Sequence, residues 1–249
     1  MIENYSFILP VFNQGRKVQK NLIILDKKLK AIKNINYEII TVDDGSSDNT
    51  FFELKSAKQK LSKIKILKNS KNFGKGYTVR EGVKRVKNNT QHIVIMDSDL
   101  PYFNKIELFL SELKKNKLVI INRKHKNSRL DYRQKNLYSL ARHFSGGIFN
   151  LIIRLIGLTS LKDTQAGLKG FSIQYKKFLK MTQTNGFLYD LELMIIFERF
   201  NIKPKSIPCT YAISKNSSLQ FYKLNLLKKI VFDLFKITYL FYSGKYNRI

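Results

Sequence analysis

Cysteine is nearly missing from this 249-residue chain, in which Cys209 stands alone. An internal disulfide and a cysteine-based zinc site are thereby excluded, and Cys209 reads as a packing residue that suits a reducing compartment. Acids are also scarce. Eighteen Asp and Glu against 46 Lys and Arg leave a net charge of +28, which calls for an anionic partner: nucleic acid, an anionic membrane surface or a phosphorylated small molecule. Part of that excess also fits a general lean of the composition towards Lys, Asn and Ile. The three histidines, His92, His125 and His143, lack metal-ligand spacing, and no serine has a triad context, so hydrolase readings fall away. The opening MIENYSFILPVF has no basic segment before its apolar run and reads as a strand, not a signal peptide, making a cytoplasmic location the expectation. No Pro-rich or Gly/Ser-rich linker and no internal repeat breaks the chain, whose 43% hydrophobic content supports an α/β domain with a real core.

What is present is an alternation. Apolar, β-rich runs at Tyr5–Pro10, Tyr37–Asp43, Ile64–Lys68, His92–Asp97 and Leu118–Asn122 are separated by helical patterns near 16–33, 48–61, 75–88 and 104–115. Such a βαβ series predicts a parallel sheet covered on both faces, with ligands beyond the carboxyl ends of its strands. Residues 125–160 turn basic and then apolar with spaced arginines, and read as an insertion on the same domain. A loop at Asp163–Gly167, a strand near 169–173, a helix from Asp190 to Phe200 and a strand near Ser206–Tyr211 follow. The last pattern, about 221–243, is long enough to span a bilayer, but Lys228, Lys229, Asp233 and Lys236 break it. Leu226, Ile230, Phe235, Ile237 and Leu240 can form an apolar face, for a helix lying in a membrane interface or one packed on the domain; Leu151–Leu158 carries the same two readings.

The acids fall at strand ends. Ile93 to Met96 run into Asp97-Ser98-Asp99, two carboxylates spaced i, i+2 that suit Mg2+ or Mn2+ completed by phosphate oxygens. Val42-Asp43-Asp44-Gly45-Ser46-Ser47-Asp48 follows the second strand; it is either turn and cap chemistry or a nucleoside contact, with Asp44 the choice for the base and Asp48 or Ser47 able to cap the next helix. Asn72-Phe73-Gly74-Lys75-Gly76 offers close backbone approach, free N–H groups at a helix start and a lysine, a combination suited to phosphate but without P-loop spacing. Asp190 and Glu192 complete the acids, Asp190 as a base or as a positioning group and Glu192 as a positioning group or a solvated helix residue.

In order along the chain, Leu9-Pro10-Val11-Phe12-Asn13, Val42–Thr50, Asn72–Gly82 and Asp97–Asp99 resemble the successive motifs of family-2 glycosyltransferases of the GT-A fold. Arg142–Gly170 and Tyr189–Leu193 are similar to the dolichyl-phosphate glucose and mannose synthase branch. The resemblance implies an α/β, Rossmann-like, mostly parallel sheet with helices on both faces plus amphipathic helices, with 1–213 as the catalytic domain and 214–249 as a C-terminal amphipathic segment. It implies inverting transfer of a sugar from a nucleotide diphosphate, with UDP the expected one, onto a polyprenyl phosphate at the cytoplasmic face of an anionic membrane. Pro10, Phe12, Asp43, Asp44, Lys75, Asp97 and Ser98 would then bind the nucleotide-sugar, and Asp97 and Asp99 the divalent metal. Arg123, Arg142 and Ser145 would meet the acceptor phosphate, and Asp99, Asp190 and Arg142 would carry the chemistry. Gln14 and Pro101 depart from the usual Glu and Gln, the second pointing to fewer protein ligands on the metal. Two alternatives stand beside this reading: the same donor with a soluble saccharide or protein acceptor, and a non-enzymatic nucleic-acid or membrane-binding protein on a transferase scaffold.

Overall fold

Nine residues from Glu3 to Val11 form the first strand, β1, and its interior positions are buried on both faces, as a strand flanked by helices requires. A computed structural model describes residues 2–131, 147–212 and 224–247. After β1 come α1 (Lys17–Ala31), β2 (Ile35–Asp43), α2 (Thr50–Lys60), β3 (Ile64–Lys68), α3 (Lys75–Val83), β4 (His92–Met96), α4 (Ile106–Leu113) and β5 (Leu118–Ile121). The order of the seven-stranded sheet is β3-β2-β1-β4-β7-β5-β8. Strands β1 to β4 pair parallel, so Val11, Asp43 and Met96 end on one edge.

The strand β7 (Leu168–Ser172) enters antiparallel between β4 and β5, the exception in a sheet that is mostly parallel as expected. Its Gly170 lies under α4: a Cβ there would stand 2.7 Å from Leu113 Cδ2. The expected strand near Ser206–Tyr211 is two strands. Pro208, which has no N–H to give a ladder, separates β8 (Lys205–Ile207) on the main sheet from β9 (Thr210–Ala212), which pairs with β6 (Arg129–Asp131). That pairing sets residues 129–131, in the 125–160 segment, beside residues 210–212.

Two apolar layers sandwich the sheet. On one side α1 places Val18, Leu22, Leu25 and Leu29 at helical spacing against Phe7, Leu9 and Ile39, with Leu54 of α2 and Phe109 of α4 beside them. Each such buried leucine contributes about 1.5–3 kcal/mol. On the other side α3, the single-turn α6 (Phe178–Met181), α7 (Tyr189–Arg199) and α8 (Leu224–Tyr242) bring Val79, Phe178, Ile195, Ile237 and Leu240 into one cluster with Ile8, Ile40 and Ile95. Gly82 permits that approach, since a Cβ would come within 2.7 Å of Ile8 Cγ2.

A helix over 147–155, α5, buries Ile153 and exposes Ile148, Leu151, Ile152 and Leu155. The helix α8 has two apolar faces. Ile237 and Leu240 pack inward, while Val231, Phe232, Phe235, Tyr239 and Tyr242 stand exposed. Phe235 therefore belongs to the outer face, not with Ile237 and Leu240, and Leu226 lies outside the residues whose side chains are described. Tyr242 donates its hydroxyl to the carbonyl of Ile156, which joins the ends of α5 and α8. Among the described residues no helix is long and apolar enough to cross a membrane.

Candidate functional site

The carboxyl edge of β1, β2 and β4 gathers the acidic motifs. At the end of β2, Asp43 is completely buried; its Oδ1 accepts from the Ser46 N–H at 3.1 Å and from the Ser46 hydroxyl, while Oδ2 is buried with no partner among the described residues. A buried carboxylate oxygen without a donor is costly and points to a ligand donor. Asp44, next along the chain and directed the other way, is satisfied. It accepts from Asn69 Nδ2 at 2.8 Å, the Phe73 N–H at 3.0 Å and the Gly74 N–H at 2.8 Å. Asp44 thus pins the 69–74 loop, whereas Asp43 keeps one buried oxygen without a partner among the described residues.

The same loop narrows the expectation of free N–H groups at the start of α3 without removing it. The N–H groups of Phe73, Gly74 and Gly76 are all engaged, the last by the carbonyl of Asn185 at 2.8 Å. Gly74 has φ of 98° and lies so close to Asn185 that a Cβ would stand 2.3 Å from its carbonyl oxygen. The start of α3 is therefore packed on the 182–186 segment, which Arg80 also holds through Thr182 and the Thr184 carbonyl at 3.0 Å. What α3 sends to the sheet edge is the side chain of Lys75.

Lys75 Nζ lies 2.7 Å from Asp97 Oδ1 and 2.9 Å from Asp190 Oδ2. The other oxygen of Asp190 accepts from Lys169 Nζ, which also donates to the Ala166 carbonyl at 3.1 Å. Four alternating charges, Asp97, Lys75, Asp190 and Lys169, thus form one chain. Burial opposes ionisation of Asp190, but the ammonium groups of Lys169 and Lys75 outweigh it and hold its carboxyl down at about 2. Burial likewise works against the charge on Lys75, and the two carboxylates more than reverse this, raising its pKa. The Asp190 carboxylate is thus held between two lysines and fixes the position of Lys75.

Asp97 remains partly open, with Oδ2 against Gly167, where a Cβ would stand 2.2 Å away. Asp99 is exposed, yet its pKa is raised, first by the protein crowded around the carboxyl and then by the negative charge of Asp97. A carboxyl whose ionisation is opposed by burial and by a neighbouring negative charge is relieved by a cation, so the oxygens of Asp97 and Asp99 fit Mg2+ or Mn2+. No group of three or more metal-binding side chains occurs among the described residues, which leaves the remaining positions to ligand oxygens. Leu100 and Tyr102, at φ of 54° and 62°, flank Pro101 in a tight turn that carries the pair, and Pro101 abuts Gly167. Pro10 and Phe12 lie half-buried at the end of β1, and Ser98 is buried with its carbonyl bound to Asn21 Nδ2 at 2.9 Å.

Two expectations concerning the acceptor side change. The guanidinium of Arg123 is already bidentate to the buried Asp163, Nε to Oδ2 at 2.8 Å and the second nitrogen to Oδ1 at 2.6 Å. Arg142 and Ser145 lie outside the described residues. Glu192 is fully buried and not solvated: it accepts from the N–H groups of Gln183 and Thr184 at 2.8 Å and from the Tyr246 hydroxyl at 2.6 Å. Lys169 was not singled out in the sequence. Its only signal there is a lysine inside the apolar run LKGFS, two residues after Gly167.

Residues 6–177 match the family described as Glycosyl transferase family 2. A dolichyl-phosphate beta-glucosyltransferase of Trichomonas vaginalis is 26% identical over 251 residues, covering 96% of this chain and 72% of that protein. The dolichyl-phosphate beta-glucosyltransferase of Saccharomyces cerevisiae is 28% identical over 226 residues, 83% of this chain and 66% of the relative. Among solved structures, glucosyl-3-phosphoglycerate synthase from Mycobacterium tuberculosis in complex with Mn2+, UDP and glucosyl-3-phosphoglycerate aligns with a TM-score of 0.66 at 14% identity, over 95% of this chain and 80% of that one. That likeness concerns the fold.

Proposed function

The chain belongs to glycosyl transferase family 2 and is a glycosyltransferase of GT-A fold, and on that premise we propose that it moves glucose from UDP-glucose to a polyprenyl phosphate with inversion at the anomeric carbon. The observation that carries the donor half is the sheet edge on which Asp43 Oδ2 has no partner while Asp97 and Asp99 crowd two negative charges together. In this reading Asp43 accepts from the N3–H of uracil, Pro10 and Phe12 bound the base, and Asp44 shapes the loop that carries Lys75. Asp97 and Asp99 hold the divalent cation, which when bound draws charge from the leaving diphosphate. Lys75 then adds its positive charge beside those oxygens, and Ser98 spaces the two carboxylates.

An acceptor that is already a phosphate is ionised near neutral pH, so the attack needs no strong base, in keeping with the saturated carboxylate of Asp190. Arg142 and Ser145 remain proposed partners of the acceptor phosphate, and Arg123 offers it only what Asp163 leaves of the guanidinium. The lipid half is supported by the dolichyl-phosphate glucosyltransferases among the relatives and by the exposed apolar faces of α5 and α8, ringed by Arg154, Lys228 and Lys229. Each basic residue at an anionic leaflet contributes about 1 kcal/mol. We place the chain at the cytoplasmic face by such contacts. Thermal melting with UDP, GDP and their glucose and mannose conjugates, with and without Mn2+, tests the donor: the midpoint should rise most with UDP-glucose and Mn2+ together. An equal or larger rise with the GDP series would replace the donor.

A further inference from the structure

Lys75 holds Asp97 by the oxygen that faces away from Gly167. Asp97 Oδ2 lies where Gly167 has no Cβ to intrude, and Oδ1 is 2.7 Å from the ammonium. A dication on that oxygen and an ammonium on the same oxygen would repel at close range, so the two are alternative partners of Asp97. Lys75 has somewhere to go. Its second contact, Asp190 Oδ2 at 2.9 Å, is on a carboxylate fixed from behind by Lys169. The two lysines differ in freedom: the Lys75 side chain is 24% exposed and that of Lys169 2%. One is a buried anchor and the other can move over a short arc at the sheet edge.

Resting on the reading of Asp97 and Asp99 as the metal pair, we propose that Lys75 is a transferable counter-ion that links metal binding to nucleotide binding. With Asp97 held by Lys75, a divalent cation must break that pair to bind. Once a nucleoside diphosphate is in place, its oxygens give Lys75 a competing anionic partner while Asp190 keeps it tethered. Asp97 is then released to the cation. The nucleotide therefore tightens metal binding by an amount that includes the Lys75–Asp97 pair, and by reciprocity the metal tightens nucleotide binding equally. Asp190 and Lys169 are positioning residues in this device, since neither meets the ligands.

The test is a Mn2+ titration followed by electron paramagnetic resonance, on the full chain, with and without UDP, with UDP affinity measured separately by calorimetry. Lys75→Met should bind Mn2+ alone roughly fivefold more tightly than the wild type and UDP alone more weakly, and the factor by which UDP tightens Mn2+ should shrink by roughly fivefold. Lys75→Arg, which keeps the charge, should retain most of the coupling. Circular dichroism checks folding, and Lys75→Gln takes the place of Lys75→Met if the latter does not fold. An unchanged coupling factor in the neutral variants, with wild-type protein binding both ligands, overturns the counter-ion role while leaving the donor site intact. Failure of the wild type to bind UDP at all overturns both.

Discussion

Lys169 and Lys75 grip opposite oxygens of the Asp190 carboxylate, one from inside the protein and one from the sheet edge. Removing Lys169 leaves Asp190 with Lys75, whereas removing the charge of Asp190 leaves two ammonium groups facing each other. Lys169→Met should therefore destabilise by about 2–3 kcal/mol and Asp190→Asn by about 3–5 kcal/mol. For a chain of this size that ordering corresponds to midpoint drops of roughly 5 and 10 °C in a thermal melt. Equal losses would mean that the two lysines are not held by the same carboxylate.

Asp190 also sets a pH dependence. Its folded pKa, about 2, lies below the ordinary carboxylate value, so its contribution is fully present above about 4 and is lost as pH falls towards 2. Burial lowers the pKa of His92, so that ring resists protonation and adds an earlier loss as pH falls below about 6.5. Urea midpoints should decline in two stages, the first reduced in His92→Gln and the second in Asp190→Asn.

Asp99 acts with the opposite sign. Its raised pKa means that the ionised form is disfavoured in the folded chain, so in chelator Asp99→Asn should melt slightly higher than wild type, by about 1 °C, at pH 7. Mn2+ with UDP should raise the wild-type midpoint and leave that of the variant nearly unchanged. A lower midpoint for the variant in chelator would show that the two carboxylates do not repel.

The neighbouring acids on β2 should separate stability from ligand binding. Asp44→Asn disturbs the three bonds that hold the 69–74 loop and should lower the melting midpoint by several degrees. Asp43→Asn, which can present a donor to the uracil N3–H, should weaken UDP about tenfold in calorimetry with a smaller thermal effect. The reverse pattern would return the base contact to Asp44.

Phe232→Ser with Phe235→Ser alters only the outer face of α8. The double variant should keep the wild-type melting midpoint and lose at least about tenfold in sedimentation with vesicles containing anionic lipid. Unchanged sedimentation would remove this face from the membrane contact.

The strand-helix alternation and the acidic strand ends were legible because they depend on local patterns: apolar runs of strand length, acids placed directly after them, and glycines where α3 meets the sheet. Three features were not. The antiparallel entry of β7 depends on where the chain returns after residues 125–160, which no local period encodes. The choice between Asp43 and Asp44 depends on which way each points at the strand end, and adjacent residues point to opposite sides. Lys169 resembles any lysine in an edge strand until β7 is placed between β4 and β5, where Asp190, 21 residues later, and the Ala166 carbonyl make its burial tolerable.

The most direct test of the account is a transfer assay with UDP-glucose labelled in the sugar, Mn2+ and a polyprenyl phosphate in mixed micelles, followed by partition between organic solvent and water. The account predicts label in the organic phase as an acid-labile glucosyl phosphate of inverted configuration, dependent on metal and abolished in Asp99→Ala. Label transferred only to a water-soluble acceptor, or undiminished transfer by Asp99→Ala, would contradict it.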